Sequence, residues 1–133
     1  TNQSYAYDDY IYPVDLYQEN TVKNLLASVA AESHEHEQVY PTFARVAKEE
    51  GFNQIAASFN MIAKIEEIHS KRFAKLAKEL EDDTMFKKAT PVAWECQVCG
   101  HIHYGVAAPT ICPVCKHPKG YFKVHGEELT EQK

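Results

Sequence analysis

A repeating pattern between positions 55 and 80, in which six of eight residues are apolar, constrains most strongly what this chain can fold into. Its members follow one another by steps of four and three, and they are Ile55, Phe59, Ile62, Glu66, His69, Phe73, Leu76 and Leu80. Such steps place side chains on one face of an α-helix. The pattern therefore predicts a long helix, from about Gln54 to Leu80, that packs into a helical bundle.

A second helix with the same pattern precedes it. Its face consists of Val22, Leu25, Val29, Glu32, His36, Val39, Phe43 and Val46. Asn20 and Thr21 suit the start of a helix, because short polar side chains bond its free N–H groups, and Gly51 suits the end at about Glu50. The short connection predicts an antiparallel helical hairpin over residues 21–82 and a mainly α fold.

Pro41 lies inside the first helix, where it removes an N–H group and presses on the preceding turn. A kink or a π-bulge is therefore expected between Glu35 and Tyr40. Such a bulge would turn Glu35 toward the apolar face, beside Glu32.

Charged residues on the two apolar faces need partners, because an unpaired buried charge is costly. Glu66 and His69 form a Glu-x-x-His pair, and Glu32 should face them. A glutamate from one helix and Glu-x-x-His from its neighbour make half of a di-iron carboxylate site, although a single exposed pair is common on helix surfaces. His36 is either a competing ligand or a partly buried histidine. Tyr40 is either a core aromatic or a hydroxyl that bonds a carboxylate.

The four cysteines form two C-x-x-C pairs, Cys96 with Cys99 and Cys112 with Cys115, with 12 residues between the pairs. Each pair offers two sulfurs to one ion, so the two pairs predict a tetrahedral metal site. Two disulfides are the alternative. Spacing alone leaves open a structural zinc or an electron-carrying iron. We expect a small metal domain at 92–125, preceded by a polar link over 82–91.

Composition excludes several classes of protein. The net charge of −5 and the absence of a basic cluster argue against a nucleic-acid partner. No run of 18 apolar residues predicts a membrane span, and the acidic start predicts no secretory signal. Together with the clustered cysteines, this favours a cytoplasmic protein. Residues 1–20 hold five tyrosines without a period of 2 or 3.6, which predicts an irregular arm or linker.

The chain resembles the rubrerythrin family, which joins a ferritin-like di-iron bundle to a rubredoxin-like module, over about residues 21–124. The motifs that carry the resemblance are Glu32-Ser33-His34-Glu35 with Tyr40-Pro41, Ile62-Ala63-Lys64-Ile65-Glu66-Glu67-Ile68-His69, Trp94-Glu95-Cys96-Gln97-Val98-Cys99-Gly100, and Cys112-Pro113 with His117-Pro118.

The resemblance implies that Glu32, Glu35, Glu66 and His69 bind a di-iron centre and that a hydroxyl, Tyr40, supports one of their carboxylates. It also implies that Cys96, Cys99, Cys112 and Cys115 hold a mononuclear iron, for which zinc is a possible substitute. The implied activity is an NADH-linked peroxidase that reduces hydrogen peroxide to water in protection against oxidative stress. Electrons would come from a rubredoxin or an NADH–rubredoxin reductase-type donor.

The chain departs from the family pattern in having one helical hairpin where rubrerythrins usually have two. Residues 1–20 contain no Glu-x-x-His. One hairpin cannot surround two irons, so we expect a four-helix bundle completed by another chain. The partner would be a second copy in a homodimer or a first-half polypeptide, and a clipped longer chain would give the same sequence. Ferritin-like iron oxidation and a zinc-ribbon interaction protein with a structural hairpin are the alternative functions.

Overall fold

The computed structural model describes residues 2–7, 10–15, 17 and 20–126, with side chains described at residue 17 and over 20–126. The chain divides into two compact units, Thr1–Ala77 and Lys78–Lys133, and each is treated by itself. Within the described residues, no helix combines the length and the apolar composition that crossing a membrane requires.

The first predicted helix is present and contains the expected irregularity. Helix α1 spans Thr21–His34, a π-helical segment spans Glu35–Val39, and helix α2 spans Tyr40–Glu49. The side chain of Asn20 accepts a hydrogen bond from the Lys23 N–H at 2.9 Å, which confirms the predicted cap. The Tyr40 N–H donates to the Glu35 carbonyl, a spacing of five residues that defines the π turn. The bulge predicted from Pro41 is thus confirmed.

A tight turn joins α2 to helix α3, which spans Asn53–Glu81. Gly51 adopts a φ of +87° there, a conformation that favours glycine. The Phe52 N–H donates to the Ala47 carbonyl at 2.8 Å and closes the end of α2. The ends of α3 lie within one residue of those predicted.

The two helices bury mainly small side chains. The buried residues of α2 and α3 are Ala44, Ala47, Ala56, Ala63 and Ala77. Larger residues of the predicted apolar faces stay partly in water, such as Phe43 at 48% and Ile55 at 49% exposure. Within the described part of the first unit, the apolar face is therefore only half covered.

The amino-terminal segment differs from the irregular arm that we expected. Strand β1, Asn2–Tyr7, pairs antiparallel with strand β2, Tyr10–Asp15. The register places Tyr5 opposite Tyr12 and Tyr7 opposite Tyr10. The tyrosines within each strand lie two positions apart, at odd-numbered positions in β1 and at even-numbered positions in β2. No single period of 2 therefore runs through the whole segment, and the two strands are not evident from its sequence.

The second unit holds a three-stranded antiparallel sheet in the order β4–β3–β5. Its strands are β3, Lys87–Cys96, β4, Ile102–Ala107, and β5, Phe122–Val124, and a 3₁₀ turn spans Lys119–Tyr121. Strand β3 takes in Pro91, so the polar link expected over 82–91 is shorter than predicted. The pairing of β3 with β4 shifts register between Lys87 and Val92. Pro91 lies within this irregular stretch, where a strand tolerates a residue that has no N–H group.

The core of this unit consists of Trp94, Cys96, Cys112 and Phe122. The Trp94 side chain is fully buried, and its Nε1–H donates to the Gly105 carbonyl at 3.0 Å. Two of the four core residues are cysteines, so the core and the predicted metal site are built from the same side chains.

Candidate metal centres

Three of the predicted ligands meet on the half-covered face of the hairpin. Glu32 of α1 and Glu66 and His69 of α3 each offer one donor atom, and these atoms lie within 4.8 Å of one another. His69 Nδ1 is 2.8 Å from Glu66 Oε2 and 3.5 Å from Glu32 Oε2. The Glu66 and Glu32 side chains are only 12% and 22% exposed. Two carboxylates and an imidazole at this spacing are suited to holding a metal ion.

The helices are tied together directly beside these donors. Ser33 follows Glu32 and Ser70 follows His69, and their Oγ atoms form a hydrogen bond of 2.8 Å. Nothing in the sequence indicates this contact, because a pair of serines 37 residues apart gives no pattern along the chain. The bond fixes the two helices at the level of the donors.

Burial and neighbouring charges disfavour the ionised form of Glu32. Burial raises the pKa of Glu32, and a hydrogen bond with Glu66 and the Glu66 charge raise it further, whereas His69 lowers it. Two carboxylates this close do not both ionise readily without a positive charge between them. A cation in the cluster would relieve this repulsion.

Glu35 is half-buried and begins the π-helical segment. Its charge raises the pKa of both Glu32 and Tyr40, so it acts on the cluster electrostatically. It lies outside the three-residue donor group. Its role as a ligand stays a prediction.

Tyr40 packs as an aromatic residue of the hairpin, and its role as a hydroxyl that bonds a carboxylate stays a prediction. Its ring packs on Phe43 and Phe59, at centroid distances of 6.2 and 6.1 Å. Burial raises the pKa of its hydroxyl, and the charges of Glu35, Glu66 and Glu32 raise it further. Tyr40 is thus a packed aromatic residue whose hydroxyl lies in the field of the carboxylates.

His36 is placed apart from the donor group. Its Nδ1 lies 2.8 Å from the Ala63 carbonyl, on the backbone of α3. The structure therefore favours the partly buried histidine over the competing ligand.

The four cysteines come together as predicted. The Sγ atoms of Cys96 and Cys115 are 3.6 Å apart, those of Cys99 and Cys112 are 3.7 Å apart, and all four lie within 4.8 Å of one another. Sulfurs at ~2.3 Å from a central ion form a tetrahedron with edges of ~3.8 Å. The thiols are free, so the disulfide alternative is not what the fold adopts.

The two cysteine pairs lie in turns of the same design. In the first turn the Cys96 N–H donates to the His101 carbonyl, and the Gly100 N–H donates to the Cys96 carbonyl. In the second turn the Cys112 N–H donates to the His117 carbonyl, and the Lys116 N–H donates to the Cys112 carbonyl. The returning residues, Gly100 and Lys116, have φ values of +78° and +66°. The repeated turn aims two sulfurs from each side at one point.

The thiols of the second turn differ strongly in acidity. Burial raises the pKa of Cys112, but the backbone N–H groups of Cys115 and Val114, with neighbouring thiols, outweigh it and hold that pKa at about 6. The His117 N–H lowers the pKa of Cys115, yet burial and the other thiols raise it to about 12. Four thiolates are not held together without a cation, so the donor set fits a thiophilic metal ion.

Comparisons with known proteins agree with this geometry. A family model described as rubrerythrin matches residues 11–95, and one described as rubrerythrin, rubredoxin-like domain matches residues 94–123. Rubrerythrin from Clostridium perfringens is 48% identical over 116 residues, which is 87% of this chain and 59% of the relative. Rubrerythrin from Nitratidesulfovibrio vulgaris is 44% identical over 107 residues, which is 80% of this chain and 56% of the relative.

A solved structure of nigerythrin in a mixed-valence state aligns with a TM-score of 0.47 at 25% identity, covering 89% of this chain and 56% of that one. The chain spans a little over half the length of these two rubrerythrins. The family models together cover both units, the helical hairpin and the cysteine module. The chain therefore belongs to the rubrerythrin family.

Proposed function

We propose that this chain is part of a non-haem iron peroxidase that reduces hydrogen peroxide to two molecules of water with two electrons and two protons. The observation that carries the proposal is the meeting of Glu32, Glu66 and His69 on a half-covered apolar face. The same chain holds a four-thiol site suited to one-electron transfer. Membership of the rubrerythrin family supports iron as the metal of both sites.

Each side chain of the carboxylate site has a definite task. Iron bound there supplies one-electron redox chemistry at each ion, so that a pair delivers the two electrons together. Glu32, Glu66 and His69 would hold the ions, and Glu35 would be a further carboxylate ligand. Tyr40, whose pKa is raised by burial and by the neighbouring carboxylates, would donate a hydrogen bond to a ligating carboxylate.

The second half of the site comes from another hairpin. A complete site of this class takes a glutamate from each of two helices and Glu-x-x-His from each of two others. Two copies of this hairpin supply that set, from Glu32 twice and Glu66 with His69 twice. A first-half polypeptide of the family would supply an equivalent set.

Helix α3 presents an unused apolar surface for such a partner. Met61 and Ile65 lie two residues to either side of the buried Ala63, and Ile68 lies two before Ser70. Residues two apart on a helix point away from each other. These three residues, the uncovered row, therefore point away from α1 and α2. They are 60%, 47% and 46% exposed. A bundle helix packs on two neighbours, and this row suits the second one.

The cysteine site is the entry point for electrons. Cys99 is exposed, whereas Cys96 and Cys112 are buried, so one sulfur reaches the surface where a protein donor docks. We infer a rubredoxin or an NADH-linked reductase as the donor, and protection of the cytoplasm from oxidative stress as the role.

Metal content per chain tests the proposal first. In anaerobically purified protein, about two irons per chain fit two copies sharing one di-iron site, and about three fit completion by another polypeptide. One zinc without iron refutes the peroxidase and favours a zinc-ribbon protein.

Variants separate the two sites. Glu66→Gln should slow peroxide-dependent oxidation of the cysteine-bound iron at least about a hundredfold, since a lost ligand costs more than the ~10–100-fold of an outer partner. Glu50→Gln, at an exposed residue that follows the end of α2, is the control. Cys99→Ser should stop NADH-driven turnover and leave iron at the carboxylates. Full turnover by Cys99→Ser would favour iron oxidation and storage.

A further inference from the structure

We propose that His36 is a positioning residue that locks the π-helical segment against α3 and thereby sets the orientation of Glu35. The proposal deepens the proposed function, since it concerns a carboxylate of the same site. It assigns a task to a histidine that lies outside the donor group.

The bond that carries the proposal joins two helices at the level of the site. The His36 Nδ1–H donates to the Ala63 carbonyl over 2.8 Å. His36 is the second residue of the π-helical segment and directly follows Glu35. Ala63 is buried and lies one turn before Glu66. The bond thus fixes the residue beside one carboxylate to a backbone atom just before another.

The π-helical segment needs such a fixed point. It has no side-chain cap, and Pro41 offers no N–H to the carbonyls upstream of it. The bond from the Tyr40 N–H to the Glu35 carbonyl closes the π turn but does not tie it to a neighbouring helix. If it moved along the helix by one position, Glu35 would turn by about 100° around the helix axis. A tie to α3 opposes that movement.

The surroundings of the ring define its tautomer. With the proton on Nδ1, Nε2 faces Glu67 Oε2 at 4.0 Å, and Glu67 is paired with Lys71 Nζ at 2.9 Å. Since Ala63 presents a carbonyl, which only accepts, the ring must carry a proton on Nδ1 for this bond to exist. The tautomer is therefore a direct marker of the tie.

His34 provides a matched control. It lies two residues before His36 and is exposed, on the side of the helix that points away. A substitution there changes the same residue type without touching α3.

The test uses the full chain, with zinc at the cysteines and no metal at the carboxylates. His36→Phe keeps a ring and removes the donor, whereas His36→Asn keeps an N–H at the position of Nδ1. In His36→Phe we expect hydrogen exchange at Val39 and Tyr40 to accelerate about five- to tenfold, as loss of one hydrogen bond produces. Binding of Co²⁺ at the carboxylates, followed by its visible absorption, should weaken about tenfold. His36→Asn should restore both values, and His34→Phe should change neither.

Three results would overturn the proposal. The first is that hydrogen exchange in His36→Phe is as slow as in the wild type. The second is that His36→Asn does not restore the wild-type exchange rate. The third is that His34→Phe accelerates exchange as much as His36→Phe does. A measurement on the wild type needs no variant: long-range proton–nitrogen NMR should find the His36 proton on Nδ1, and a proton on Nε2 alone would refute the tie. Exchange and tautomer do not depend on peroxide chemistry. Absence of peroxidase activity from the wild type assembled with its bundle partner would therefore refute the proposed function and leave this inference standing.

Discussion

Replacing Ile65 and Ile68 together by alanine tests whether the uncovered row of α3 is the surface that a second copy covers. Both side chains leave nearly half of their surface in water, at 47% and 46% exposure. A partner helix packed on this row would bury that remainder. The substitutions truncate two of the three side chains of the uncovered row, on the side of α3 that points away from α1 and α2.

The size of the effect follows from the exposed fractions. Full burial of an isoleucine is worth about 2 kcal/mol, so burying the remaining half is worth about 1 kcal/mol for each residue. Two residues on each of two symmetry-related copies give about 4 kcal/mol for the dimer. Because about 1.4 kcal/mol corresponds to a tenfold change, the dissociation constant should rise about a thousandfold.

Sedimentation velocity across a dilution series measures that constant. The control is the double variant Asn60→Ala with Lys64→Ala, which removes two exposed side chains from the outer surface of the same helix. It should leave the constant unchanged. Equal constants for the wild type and the isoleucine variant would refute the interface. A wild type that stays monomeric at every concentration would refute pairing of two copies.

Four further predictions concern the individual sites. The raised pKa of Glu32 means that its contribution to the stability of the metal-free hairpin is present below the ordinary value of 4.5 and is lost as the pH rises through the raised pKa. Glu32→Gln should therefore raise the thermal midpoint of metal-free protein at neutral pH while abolishing Co²⁺ binding, and an unchanged midpoint would contradict the shift. Gly100→Ala should cost about 1 kcal/mol in guanidinium unfolding of the zinc-loaded chain, because φ is +78° and no atom lies within 4 Å of the added Cβ. Lys116→Gly, at a φ of +66°, should change stability by less than about 1 kcal/mol, since the relief of strain is offset by a freer unfolded chain; equal losses at the two positions would contradict this. Chelation of the cysteine-bound metal should abolish the near-ultraviolet circular dichroism of the second unit, and an unchanged spectrum would show that its core is stable without the ion.

The helices and the cysteine site could be predicted from the sequence because their signals are local. Steps of three and four residues defined α3 to within one residue, and Pro41 alone indicated the π-helical segment. Two residues between paired cysteines fix one tight turn, so the spacing of Sγ atoms followed from the motif.

Features that depend on distant parts of the chain were missed or misjudged. The start of β3 at Lys87 depends on pairing with β4, and the bonds from Ser33 to Ser70 and from His36 to Ala63 depend on how two helices are rotated about their axes. A helical period gives the face of each helix but not that mutual rotation. For the same reason, the meeting of Glu32 with Glu66 was expected, whereas the precise position of Glu35 was not determined.

The burial of Trp94 beside two cysteines gives the molecule an optical reporter of its own. Trp94 is the chain's single tryptophan, and it shares a core with Cys96 and Cys112. Iron–thiolate absorption overlaps indole emission and quenches it by energy transfer, whereas zinc–thiolate absorbs only at shorter wavelengths and leaves the emission unquenched. A dim chain thus contains iron at the cysteines and a bright, blue-shifted one contains zinc, so the metal bound to the purified chain can be identified by fluorescence without removing the ion.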